Sequence, residues 1–440
     1  MNNKENFNKE ITVSGFVESL RDLQYVQFLV IRNGIEKLQI TIEKEDETMK
    51  DLISIVSSIT LESTVKITGT LKENSKVKLN GMELIPSEII VTSTSEPELP
   101  ISIKNKENTL RETRLDYRFI DLRREDNYLF FKCQTTLLAA MREYWVNNDF
   151  IEINSPKISG ASAESGAEVF KLDYFGQPAC LSQSPQFYKQ MAMAAGFNKV
   201  FEIGPAFRAE NSHTSYHATE IQMIDAEISW INGEEDVMNM EESWLRYAFK
   251  KLNETHKEEV KRVFNIEITD ASNPFPRITL EECKRIIKEE FNYVSEKSDD
   301  LERKEEELIC KYIKKKYNSD FVFITKWPFS ARPFYHMKDE EGYSKSFDLL
   351  YKGLEITTGA QREHRYEILK NQVIEKGIKP EELEFYLSFF KYGCPPHGGF
   401  ALGTERFLMK LLDFGSILET TYLPNTPNRL GKLINVKKVK

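Results

Sequence analysis

Between Glu10 and Thr94 apolar and polar residues alternate in short runs, ITVSGFVESL, VQFLVIR, KLQITI, STVKITGTL and ELIPSEIIVT, separated by turn residues such as Asn33-Gly34. Alternation with period two, Gly-bearing turns and a single helical interruption at ETMKDLISIVSSI predict a small five-stranded β-barrel of the OB type. Barrels of that type bind single-stranded nucleic acid or sugars. The pattern then changes to TSTSEPELPISIKNKEN, rich in Ser, Pro and charge, which reads as an interdomain linker. Beyond it Leu129, Cys133, Leu137, Met141 and Trp145 recur every four residues, the mark of a helix with one buried face. FIEINSPKI follows as a short strand stopped by Pro156. Antiparallel-looking runs come next at VFEIGPAFRAE, EIQMIDAEISWI, SFDLLYKGLEITTG and GGFALG. KSDDLERKEEELICKYIKKKY predicts a charged, solvated helix in an insertion around 265–318.

The pattern therefore predicts an α+β chain of two domains. Residues 1–100 form the barrel, 101–116 a hinge, and 117–440 a larger domain in which helices mix with antiparallel-looking runs. A 440-residue chain with 40% hydrophobic and 29% charged residues is that of a folded globular protein too long for one ordinary core. No apolar run has spanning length and the start MNNKENFNKE is polar, so a cytoplasmic location without membrane contact is expected. Five scattered cysteines without CxxC spacing predict reduced thiols rather than disulfides or a zinc finger. The net charge of −9 argues against a purely electrostatic nucleic-acid binder. A nucleic-acid partner has to be held by local patches and stacking.

FRAENSHTSYH, Phe207 to His217, places an arginine, a glutamate, two histidines and a tyrosine in one strand connection. No GxxxxGK[ST] loop and no strand-borne GxGxxG occurs in the larger half, so any phosphate there is met by side chains. Arginine suits that task because its planar fork matches two oxygens and stays charged. Arg208, and Arg406 at the end of a glycine-rich strand, are the candidates. In FDLLYKGLEITTGAQREHR, Asp348, Glu355 and Thr358 offer hard oxygen ligands for a magnesium ion, with Arg362 following as a carboxylate clamp.

A helix and strand ending in proline, then FRxE with a histidine, then a glycine-rich strand ending in ER, resemble the three signature motifs of class II aminoacyl-tRNA synthetases. The chain is similar to the archaeal-type aspartyl branch through TVSGFVESLRDL, RLDYRFIDLRR, LSQSPQFYKQM, EIGPAFRAE, GAQREHR, EFYLSFFKYGCPPHGGF and ALGTERF, in the family's order and over essentially its whole length. The resemblance implies an anticodon-binding barrel in which Phe28 stacks a base and Gln39 reads an edge, a catalytic domain built as an antiparallel sheet flanked by helices, and a homodimer formed through the first motif. It implies an aspartate site of Glu164, Gln183, Gln186, Lys189, Arg208, Asp225, Thr358 and Arg362, in which Lys189 and Arg362 converge on the substrate's side-chain carboxylate. It implies an ATP site of Arg208, Glu210, Tyr216, His217, Ala218, Glu355, Gly403, Thr404, Glu405 and Arg406, with Arg208 and Arg406 catalytic. Magnesium would rest on Asp348, Glu355 and Thr358. The implied activity is ligation of L-aspartate to tRNA(Asp), with ATP as co-substrate; whether tRNA(Asn) is a second acceptor stays open.

Several positions depart from the family pattern: Tyr216 for arginine, Ile221 for an aromatic, Ala401 for glycine, Thr358 for serine, Ser165 for glycine, and Asn425 for an arginine near the end, followed by the basic KLINVKKVK. Arg429 is a candidate for compensating Asn425. These departures keep other readings open: a paralog activating aspartate or a related compound in resistance or small-molecule modification, an asparagine-specific synthetase, or a regulator that binds tRNA without catalysis.

Overall fold

The computed structural model describes residues 4–160, 168–211 and 214–430. The chain divides into two compact units, residues 1–129 and 130–440. Residues 94–129, where a hinge over 101–116 and the start of the larger domain were expected, fold with the barrel. No helix among the described residues is long and apolar enough to cross a membrane.

The first unit is a closed barrel of β1 (Glu10–Asp22), β2 (Val26–Asn33), β3 (Glu36–Glu43), β4 (Thr64–Glu73) and β5 (Met82–Ser93), in the order β1-β2-β3-β5-β4. Closure comes from the antiparallel β1/β4 ladder, while β3 and β5 run parallel. The helix Lys50–Ser58 interrupts the strands where the sequence predicted it. Leu29, Ile31, Leu38, Ile40 and Ile42 are fully buried on one face of β2 and β3, so the residues that alternate with them must face outward. The register sets Phe28 opposite Thr41 and Val30 opposite Gln39, which gathers all four on that outer face. Gly69 is required where β4 bends over β5, since a Cβ there would come within 2.2 Å of the Ile85 carbonyl oxygen.

In the second unit an eight-stranded sheet is built from β6 (Ile151–Glu152), β10 (Lys199–Phe207), β11 (Glu220–Ser229), β12 (Arg277–Thr279), β13 (Phe321–Pro328), β14 (Tyr343–Tyr351), β15 (Leu354–Arg362) and β16 (His397–Gly403). Its order is β12-β13-β14-β15-β16-β11-β10-β6; the six central strands are antiparallel, and the short edges β12 and β6 pair parallel. β7 (Ile158–Ser159), β8 (Lys171–Tyr174) and β9 (Gln177–Leu181) make a separate small sheet. One face of the large sheet packs on the helix Glu234–Phe264, where Trp244 lies 4.8 Å from Trp145 and 5.3 Å from Phe400 between ring centroids. Leu129, Cys133, Leu137, Met141 and Trp145 are all fully buried on the helix Glu125–Asn147, as their four-residue spacing requires.

The charged 265–318 segment differs from a solvated appendage. It contributes β12 to the sheet, and Cys283, Ile286, Ile287, Ile309, Cys310 and Ile313 of its two helices pack on Val322, Ile324 and Leu350. Charge counts had hidden an apolar stripe on each helix, which buries while most of the lysines and glutamates stay outside; Glu305 is the exception, buried and paired with Lys284 at 2.7 Å.

Candidate active site

The opposite face of the large sheet carries the site, and strand register assembles it. Direct pairing sets Glu202, Asp225, Ala401, Thr358 and Asp348 in one row across five strands, with Glu227, Gly399 and Ala360 in the next row. Asp225 and Glu227 share the face because they are two apart on β11.

At one end Lys189, on the helix Gln186–Ala194, reaches the sheet and is 1% exposed. Its Nζ lies 3.1 Å from Asp225 Oδ1 and 3.2 Å from Glu227 Oε2, and donates to the Phe400 carbonyl at 3.0 Å. Arg362 donates from Nε to Glu227 Oε1 and from Nη2 to the Gly399 carbonyl, both at 3.0 Å. Lys189 and Arg362 therefore converge on one carboxylate, and it is that of Glu227. Two buried cations need an anion, and Glu227 supplies it within the fold. Burial would raise the Glu227 carboxyl, but Arg362 and Lys189 hold it below its ordinary range. Burial pushes Asp225 up, against the pull of Lys189. Gly399 is required: a Cβ there would lie 2.2 Å from Glu227 Oε2. Gln186 donates to Gln190 Oε1 at 2.9 Å, and Gln190 contacts Nε2 of the buried His397 at 3.0 Å. The His397 imidazole is pushed down to about 4 by burial; Nδ1 donates to the Pro395 carbonyl at 2.8 Å, which leaves Nε2 of the neutral ring to accept from Gln190. Gln183 is also buried and donates to the Glu168 carbonyl at 3.4 Å.

Beside this end opens a cleft lined by Arg208, Glu210, Tyr216, His217, Ala218, Ile221, Glu355, Thr358, Ala401, Gly403, Glu405 and Arg406, among others. The expected ATP residues are thus brought together, with Thr404 fully buried at the start of the helix Thr404–Leu411 just behind them. Arg208 has no ion pair among the described residues, and Arg406 makes only a 3.4 Å contact from Nε to the Tyr216 carbonyl. Burial, then Arg406, lower the His217 imidazole, whose Nδ1 lies 2.5 Å from Thr214 Oγ1. Glu405 Oε1 accepts the Gln222 backbone N–H at 2.9 Å, and burial pushes its carboxyl up to about 7.

Thr358 Oγ1 lies 2.9 Å from Asp348 Oδ1 and 3.0 Å from Glu355 Oε1, so one hydroxyl serves two carboxylates. Burial and the neighbouring Asp348 push the Glu355 carboxyl up to about 7. Two close carboxylates and a hydroxyl are hard oxygen donors whose repulsion a divalent cation relieves, and magnesium binds through one or two carboxylates plus substrate phosphates. The group fits magnesium on that basis, although among the described residues no cluster of three or more His, Cys, Asp or Glu side chains could hold a metal.

Sequence reasoning missed Arg332, which grips Asp348 with Nη1 at 3.0 Å and Nη2 at 2.6 Å while stacking on Trp327. It also missed Glu227, although the two-residue step from Asp225 was a usable signal. Asn425 occupies its off-pattern position by donating to Glu220 Oε2 at 2.9 Å. Arg429 is buried and pairs in a turn with Thr426. Glu164, Ser165 and the basic tail from 432 onward lie outside the described residues. In the barrel Phe28 is half-buried beneath the Arg21 guanidinium at 5.3 Å, and Gln39 donates to Thr41, which donates to Glu83.

Residues 110–427 match the family described as class II tRNA synthetases (D, K and N), and residues 11–92 match the OB-fold nucleic acid binding domain. The aspartate–tRNA(Asp) ligase of Pyrococcus abyssi is 39% identical to this chain over 96% of each protein. The aspartate–tRNA(Asp/Asn) ligase of Methanopyrus kandleri is 40% identical, again over 96% of each. Among solved structures, asparaginyl-tRNA synthetase from Pyrococcus horikoshii complexed with asparaginyl-adenylate superposes with a TM-score of 0.88 at 30% identity, covering 97% of both chains.

Proposed function

The chain belongs to the class II tRNA synthetases of the D, K and N group, and from that premise we propose that it is an aspartate–tRNA ligase that forms aspartyl-adenylate and transfers the aspartyl group to tRNA(Asp). The observation that carries this reading is the juxtaposition of a buried Lys189–Arg362 pair with a cleft whose arginines lack ion-pair partners among the described residues. A dicarboxylic amino acid and a polyphosphate are the ligands whose charges match those two regions.

In the first step the aspartate α-carboxylate attacks the α-phosphorus of ATP, the bond to the β-phosphate oxygen breaks, and pyrophosphate leaves. Lys189 and Arg362 take the side-chain carboxylate, sharing Glu227 with it. Asp225 and Gln186, with Glu164, meet the α-ammonium end, and Gln183 borders the amino acid. Arg208 holds the α-phosphate beside the attacking carboxylate, where negative charge develops. His217 and Arg406 take the γ-phosphate, and Glu210, Tyr216, Ala218, Gly403, Thr404 and Glu405 shape the nucleotide site. Magnesium, when bound on Asp348, Glu355 and Thr358, supplies positive charge to the phosphates; Arg332 keeps Asp348 in place. In the second step the terminal ribose hydroxyl of tRNA attacks the mixed anhydride and AMP leaves, a transfer that needs positioning more than a dedicated base.

In the barrel, Phe28 offers a stacking face and Gln39 an edge-reading amide for the anticodon, contacts that do not require a basic protein. The reading takes a cytoplasmic homodimer as the working form. Arginines without an ion-pair partner among the described residues, set at a phosphate site, have no use in a regulator that only binds tRNA, which favours the ligase over that alternative. Lys189 weighs against asparagine, because a carboxylate can accept from Lys189 and Arg362 with both oxygens, whereas an amide turns an NH2 donor toward one of the two cations. The test is aspartate-dependent exchange of pyrophosphate into ATP, followed by charging of purified tRNA(Asp) and tRNA(Asn). Exchange with aspartate and charging of tRNA(Asp) are expected; no exchange with aspartate, or exchange with asparagine alone, overturns the reading. Charging of both tRNAs extends the reading to a second acceptor.

A further inference from the structure

The helix Arg303–Tyr317, read from its charges as a solvated face, brings its first turn against the cleft. The Arg303 guanidinium lies 5.0 Å over the ring of Tyr216, and Tyr216 lines the cleft. Arg303 Nη1 also donates to Glu306 Oε2 at 2.9 Å, and the same oxygen accepts the Glu355 backbone N–H at 3.3 Å. One ion pair within one helical turn therefore touches two walls of the cleft. Arg303 Nε and Nη2 are buried and donate no hydrogen bond among the described residues; Glu307 Oε1 stands 3.8 Å from Nε, beyond hydrogen-bond reach. On that edge of the guanidinium the contact that remains is the aromatic face, and a desolvated cation binds such a face more strongly than an exposed one.

Tyr216 is placed so that holding its ring holds the phosphate-facing groups. Its carbonyl accepts from Arg406 Nε at 3.4 Å, and its N–H donates to Thr214 Oγ1 at 3.2 Å. That hydroxyl in turn contacts His217. A ring free to rotate would loosen the turn that carries His217 and the carbonyl that steers Arg406.

We propose that Arg303 is a positioning residue for ATP: its stack on Tyr216 and its pair with Glu306 clamp the Tyr216–His217 turn and the β15 wall at the spacing the polyphosphate needs. The inference rests on the reading of this cleft as the ATP site. Arg303 acts through Tyr216 and is not itself a catalytic residue.

The test compares the parent chain, Arg303→Ala, Arg303→Lys, Tyr216→Leu and the double variant Arg303→Ala/Tyr216→Leu, with Arg208→Ala as a control. Binding of the α,β-methylene analogue of ATP is measured by calorimetry in magnesium buffer, and KM for ATP and for aspartate by pyrophosphate exchange. Arg303→Ala and Tyr216→Leu should each weaken ATP binding by about tenfold. The double variant should be no weaker than either single one, because both remove the same stack. KM for aspartate should stay within about twofold of the parent, since Lys189 and Arg362 are held by the sheet. Arg303→Lys should recover part of the loss, lysine keeping the charge but not the planar stack. Parental ATP affinity in Arg303→Ala while Arg208→Ala has lost it overturns the inference and spares the ATP site. Multiplied losses in the double variant, or an equal rise in both KM values, overturn it as well. An ATP analogue that does not bind the parent removes the ATP-site reading and the inference with it.

Discussion

The two ends of the site handle charge in opposite ways. Around Glu227, Lys189 and Arg362 are buried and already paired, with every donor distance near 3 Å. In the cleft, Arg208 and Arg406 line an open space with no carboxylate paired to them among the described residues. The difference follows from what each end has to do. A buried cation without an anion is too costly to keep, so the amino-acid end must be neutralised by the fold before any ligand arrives. Partly solvated arginines carry little such cost, and a polyphosphate brings its own charge. The first end can reject a wrong side chain through rigidity, while the second keeps its field for charge that develops during the reaction.

Breaking the paired end should cost stability as well as activity. Glu227→Gln leaves Lys189 and Arg362 buried with Asp225 as their remaining carboxylate, and a loss of about 3–5 kcal/mol in folding stability is expected. Chemical unfolding would show it as a lower midpoint at unchanged slope; a midpoint equal to the parent's would mean that the cations relax toward water. Breaking the open end should cost activity alone. Arg208→Ala should lower adenylate formation by about 10²–10³-fold, the scale of a lost donor to developing charge. Its melting temperature should match the parent's, and a clear drop would show that Arg208 has a structural partner.

The contrast has a pH signature too. His397 lies beside the paired end, buried, with its imidazole pushed down to about 4 by burial, with Arg362 adding to the effect and Glu227 opposing it. The unfolded chain takes up that proton near pH 6.5, whereas the folded chain does so only near 4. Stability from this residue is therefore complete above about pH 6.5 and is lost as pH falls toward 4, by about 3 kcal/mol at most. His397→Gln should flatten that part of the stability curve in unfolding titrations at pH 7, 5.5 and 4.5; an unchanged slope would assign the proton uptake elsewhere. The smallest effect is expected from Ile221→Phe in the open end. Ile221 lines the cleft, and an aromatic face there should tighten nucleotide binding by about 1 kcal/mol. Weaker binding would show that the cleft has no room for a ring at that position.

Much of this molecule was legible along the chain because local periodicity is a property of neighbouring residues. Period-two runs placed the barrel strands and, through Leu29 and Ile31 on the core face, set Phe28 outward. The four-residue recurrence from Leu129 to Trp145 marked a helix whose repeating positions are all buried. The order of FRAE, GAQREHR and ALGTERF pointed to the residues that the cleft and its paired neighbour bring together. The tertiary structure alone decided who pairs with whom. Glu227 meets Lys189 and Arg362 because β11, β15, β16 and the helix Gln186–Ala194 meet at one register, and Arg332 meets Asp348 across a connection that no spacing rule describes. Arg303 looked like one charge among many on a solvated helix, until packing of the opposite, apolar stripe on the sheet turned its first turn toward Tyr216. Burial and pairing depend on strands and helices far apart in sequence, whereas periodicity depends only on the nearest few residues, and that separates what the chain states by itself from what folding adds.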